Sequence, residues 1–93
     1  MAEILVDPNE LKNKAESLRN IANAIKSALD DADHEIESMK SYWEGQASES
    51  SVNKFKKLKP EIEKSYENIN KYAEFLNAAS EDYQNVEMKN IQE

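Results

Sequence analysis

The chain has 93 residues, a formal net charge of −7 at pH 7, one histidine and no cysteine. A chain this short folds as one small domain with a marginal core, and without cysteine neither a disulfide nor a thiolate metal site can reinforce it, so association with another chain is the expected support. The acidic balance argues against nucleic acid, no apolar run reaches the ~20 residues of a membrane span, and one glycine with two prolines supplies too few turns for an all-β fold, so the class is all-α.

The first residues, Met1 to Asp7, lack the basic region, apolar stretch and cleavage site of a signal peptide, so any export takes another route. Asp7-Pro8-Asn9-Glu10 then reads as a helix start. Asp7 can cap free N–H groups, Pro8 suits the first helical position, and Glu10 stands three residues after the cap. From there Leu11, Ala15, Leu18, Ala22, Ile25, Leu29, Ala32, Ile36, Met39 and Trp43 recur at alternating spacings of four and three. This heptad seam predicts a helix over about residues 8–43, roughly 50 Å long.

Gly45 is the single glycine and stands where the first seam stops, so the turn is expected at about 44–46. A second seam follows through Val52, Phe55, Leu58, Ile62, Tyr66, Ile69, Ala73, Leu76, Ala79, Tyr83 and Val86. It predicts a helix over about 47–88, kinked near Pro60, which removes one backbone hydrogen bond. A short turn makes the two helices antiparallel, with facing residue numbers that sum to about 89 or 90. Asp30, Asp31, Asp33, Glu35 and Glu37 then fall opposite Lys54, Lys56, Lys57 and Lys59, while Lys12 and Lys14 fall opposite Glu74 and Glu81. The four clustered lysines therefore read as a face neutralised by the other helix rather than a nucleic-acid contact.

Ile21, Ala24 and Ala28 on the first helix, and Tyr72, Phe75 and Ala78 on the second, widen the apolar surface beyond one seam. A lone hairpin leaves such residues exposed, so the expected assembly is a four-helix bundle of two hairpins. The core and dimer surface are expected to draw on Leu18, Ile21, Ile25, Leu29, Phe55, Ile62, Tyr66, Ile69, Tyr72 and Leu76.

Nothing in the pattern supplies a catalytic or metal site. Asp31-Ala32-Asp33-His34-Glu35 lies inside an unbroken helical seam, without the glycine of a calcium-binding loop. Ser48, Ser50 and Ser51 have no base near them in sequence, and no glycine-rich phosphate loop occurs. Neither an enzyme nor a cofactor is expected.

Tyr42-Trp43-Glu44-Gly45-Gln46-Ala47 places a Trp-X-Gly turn at the midpoint of a helical hairpin of about a hundred residues. In this the chain resembles the WXG family, the ESAT-like proteins of type VII secretion systems. The resemblance spans nearly the whole chain. It includes the Asp-Pro-Asn-Glu-Leu start and Phe55-Lys56-Lys57-Leu58-Lys59-Pro60, which is similar to a segment of Gram-positive members. It implies a dimeric hairpin, formed with itself or a related hairpin, exported folded from the cytoplasm without a cleaved signal peptide and recognised by the secretion ATPase.

Tyr83-Gln84-Asn85-Val86-Glu87 is similar to the family's C-terminal export element, a tyrosine followed four residues later by an acid. By resemblance, Trp43, Gly45, Tyr83 and Glu87 would form the secretion signal, the turn of one chain lying near the element of its partner. Trp43 and Gly45 also have a purely structural reading, as the plug and turn of the bundle end. Two departures stand out: Ser51 occupies the place where many members have phenylalanine, and little chain follows Glu87. They leave open an escort for a larger secreted toxin with a related helical domain. An ordinary cytosolic helical adaptor is the third alternative.

Overall fold

Two helices joined by one tight connection form an antiparallel hairpin in the structure, a computed structural model that describes the backbone of residues 7–92 and the side chains of residues 7–85. Helix α1 runs Pro8–Ser38 and helix α2 runs Gln46–Gln92, with a short 3-10 turn at Met39–Ser41 between them. At the start of α1, Asp7 is extended and its Oδ1 accepts a hydrogen bond from the Asn9 N–H at 2.9 Å, while the Leu11 N–H reaches the Asp7 carbonyl at 3.1 Å. A cap of this kind stabilises a helix by about 1 kcal/mol. Glu10 adds a negative charge to the first turn, where the helix dipole favours it.

Helix α1 stops at Ser38, short of the residue 43 that the seam predicts. Local chemistry accounts for the early end. Ser38 Oγ donates to the Glu35 carbonyl at 2.8 Å, and the Met39 N–H is shared among the carbonyls of Glu35, Ile36 and Glu37. The last turn also carries acids and no base, which the negative end of the dipole disfavours. Helix α2, by contrast, runs unbroken through Pro60. Pro60 is on the exposed side of the helix, where water can reach the Lys56 carbonyl that proline leaves without its donor.

The seam between the helices is narrower and made of smaller residues than the apolar pattern suggests. Ala15, Ala22 and Leu29 are buried on α1, seven residues apart; Val52, Ala73 and Ser80 are buried on α2, in phase with half-buried Lys59 and Tyr66. Among the described residues the largest wholly buried side chain is that of Ser80. Leu18, Ile25, Phe55, Ile62, Ile69 and Leu76 flank this line and are half-buried. Leu58 and Tyr83, expected in the seam, are about half exposed. Leu58 is one residue, about 100° of helix rotation, from the seam position Lys59. Val86, also expected in the seam, lies outside the described side chains.

Two contacts fix the register. Asp33 meets Lys59 near the middle and Pro8 meets Ser80 at the open end, pairs whose numbers sum to 92 and 88. These bracket the expected register. The charge ladder expected between the helices reduces to one rung among the described residues, Asp33–Lys59; the other ion pair, Lys40–Glu37, is local. Lys54, Lys56 and Lys57 are exposed and, like Lys12 and Lys14, form no ion pair across the hairpin among the described residues.

The molecule measures 73 × 22 × 17 Å, with a radius of gyration of 21.3 Å against about 12 Å for a globular chain of this length. Its accessible surface is 7480 Å², whereas a compact protein of 10.7 kDa exposes about 5500 Å². Large apolar side chains share in the exposure: Ile21, Tyr72 and Phe75 are each half or more exposed, and the Tyr72 and Phe75 rings lie 6.0 Å apart on the surface of α2.

Candidate recognition site

The closed end of the hairpin is built by two overlapping turns. The N–H groups of Tyr42 and Trp43 both donate to the Met39 carbonyl, at 3.0 and 2.9 Å, and bring the chain round after the 3-10 turn. Gly45 then adopts φ +103°, the one positive φ among the described residues, and its carbonyl accepts the first helical hydrogen bond of α2, from the Glu49 N–H at 3.2 Å. Gly45 therefore opens α2 rather than closing α1, the role the sequence suggests. The left-handed conformation requires glycine here because an L side chain would be strained.

This turn leaves its aromatics outside. Tyr42 is 90% exposed and Trp43 42% exposed. Trp43 borders an open groove of about 390 Å³ floored by buried Ser48 and Val52, with Lys40 and Lys56 at its edges. Glu44 and Glu49 line it as well, so its rim carries both signs of charge beside the Trp43 ring. Ser48, weighed in the sequence only as a nucleophile without a base, is instead a buried seam residue, four residues before Val52.

Tyr83 lies far from this turn. It stands on α2 beyond Ser80, which packs against the first residue of α1, and about half of its surface is exposed. Along α2, Gly45 and Tyr83 are about 57 Å apart at 1.5 Å per residue. One chain therefore keeps the two halves of the expected signal at opposite ends. Glu87 belongs to α2, but its side chain lies outside the described ones.

Between the two ends, Lys59 and Tyr66 are perturbed by their surroundings. Lys59 is held above its ordinary pKa of 10.5, chiefly by its hydrogen bond to Asp33 and by that carboxylate's charge. Burial against the seam raises the Tyr66 phenol, and Glu63, Glu67 and Asp30 raise it further. His34 is exposed, and no group of three potential metal-binding side chains occurs among the described residues. No described helix is long and apolar enough to cross a membrane.

A family model described as proteins of 100 residues with WXG matches residues 3–88. The fold is similar to the crystal structure of a secreted protein, EsxB, from Bacillus anthracis strain Sterne: 22% identity, TM-score 0.83, covering 94% of this chain and 99% of that one. A mutant of EsxB matches with the same identity and TM-score, over 94% of this chain and 97% of that one. No curated protein matches the chain significantly.

Proposed function

Since this chain belongs to the family of hundred-residue proteins with a Trp-X-Gly motif, we propose that it is a non-enzymatic substrate or carrier of a type VII secretion system, exported folded as a dimer of hairpins. The observation that carries this reading is the placement of two exposed aromatics, Trp43 at the closed end and Tyr83 past the open end. Two copies packed antiparallel bring each Trp43-Gly45 turn beside the partner copy's Tyr83 segment. The composite surface, with Glu87 as its acid, is what the secretion ATPase reads. The exposed stripe of Ile21, Tyr72 and Phe75 supports the dimer, because these residues lose their contact with water only against another hairpin. The protein is then cytoplasmic before export and extracellular after it.

The test is export from the native host, comparing wild type with Trp43→Ala and Tyr83→Ala after circular dichroism has shown each variant folded. Wild type in the medium with both variants retained is the expected result. Wild type retained in cells whose secretion system is active would sink the proposal. A purified chain that stays monomeric, and pairs only with a toxin's helical domain, would move the reading to an escort.

A further inference from the structure

We propose that Ser80 is a positioning residue for the export element, a latch that sets the point at which α2 passes the start of α1; this rests on the recognition role of Tyr83 just proposed. Serine inside a helix commonly turns its hydroxyl back on its own chain. Ser65 does so, donating to the Glu61 carbonyl four residues earlier at 3.3 Å. Ser80 does not. It is wholly buried, and its Oγ donates across the hairpin to the Pro8 carbonyl at 2.7 Å, joining residues 72 apart in sequence.

The place of this bond gives it its consequence. Pro8 is the first residue of α1, so Ser80 marks the last turn of α2 that α1 supports. From Glu81 to Gln92, about 18 Å of helix at 1.5 Å per residue, α2 runs past the start of α1. Tyr83 lies within the first turn after the latch and is half-exposed. The wholly buried side chains of the seam beside it are small. Ala15 and Ala73, both wholly buried, share the Pro8–Ser80 register, and methyl groups resist slippage poorly because they interlock little. A directional hydrogen bond from a buried side chain does resist it, since a slip breaks the 2.7 Å bond to Pro8 and leaves the hydroxyl at best a back-bond to its own helix, which ties nothing to α1. The latch therefore fixes both the direction and the rotation at which the Tyr83 face emerges.

The experiment compares full-length wild type, Ser80→Ala and Ala22→Gly. The last variant weakens the same buried seam by a similar amount, far from the latch. Amide hydrogen exchange is read at residues 81–87, and export is read in the native host. Ser80→Ala is expected to speed exchange in 81–87 by about fivefold over Ala22→Gly, the factor that one lost hydrogen bond gives, and to lower export while Ala22→Gly does not. Equal exchange in the two variants overturns the latch whatever export does. Faster exchange in Ser80→Ala with unimpaired export also overturns it, because Ser80 is then structural only. Normal export of Tyr83→Ala removes the recognition reading itself, and the positioning role falls with it even where the exchange result holds.

Discussion

Lys59 Nζ lies 3.0 Å from Asp33 Oδ2 and so ties the middle of α2 to α1, across 26 residues of sequence. The pair is about a third exposed on each side, so salt and water weaken it. Its pH dependence has a definite sign. The bond raises the folded-state pKa of Lys59 above the ordinary 10.5, so its contribution is complete below that value and is lost as pH rises through the raised one. Melting temperature should therefore hold steady through neutral and mildly alkaline pH and drop above about 10.5. Lys59→Gln should blunt that drop and cost little at pH 7, with the cost shrinking as salt is added. An unchanged alkaline drop in Lys59→Gln would assign it to other groups.

Ala73 is wholly buried in a seam whose neighbours are themselves small. Ala73→Leu must push the helices apart or force a strained rotamer, and overpacking of this kind costs about 1–3 kcal/mol. Urea unfolding should show a lower midpoint with little change in slope. A midpoint at or above wild type would mean that the seam has room to spare.

Ile21 on α1 and Phe75 on α2 are 50% and 64% exposed. If a second hairpin covers them, Phe75→Glu should place a charge in that interface and weaken association at least tenfold, the factor given by about 1.4 kcal/mol. Sedimentation equilibrium should show dimeric wild type and a concentration-dependent monomer for the variant. Equal mass for the two proteins would remove Phe75 from the interface.

Gly45 has open space where a Cβ would stand, with nothing within 4 Å, yet its φ is +103°. Any loss in Gly45→Ala therefore comes from backbone strain alone, at about 1–2 kcal/mol. The expected result is a lower melting temperature with helix content preserved. Stability equal to wild type would show that the turn can adopt another path.

The all-α class, the single break and the antiparallel hairpin were legible in the sequence because they depend on local chemistry: the Asp7-Pro8 cap, a seam recurring every three or four residues, and one glycine at the midpoint. Trp43, Gly45, Tyr83 and Glu87 were proposed from motif alone, which needs no coordinates. The end of α1 was less legible, since the apolar rhythm continues to Trp43 while Ser38 and the nearby acids stop the helix at Ser38. Periodicity reports which face is apolar, not where backbone hydrogen bonding ends.

Which apolar residues are inside was decided only by tertiary structure. A seam shared by two helices admits one narrow line of side chains, and the fold buried Ala15, Ala22, Leu29, Val52, Ala73 and Ser80, leaving the expected seam residues Leu58 and Tyr83 about half exposed; the exposure of Tyr72 and Phe75 was already expected of a lone hairpin. Helical spacing gives nearly equal claim to either stripe, and the choice rests on how closely two backbones can approach. Ser80 was invisible for the same reason: its partner lies 72 residues away, and a serine reads as polar surface until a carbonyl from the other helix is set 2.7 Å from its hydroxyl.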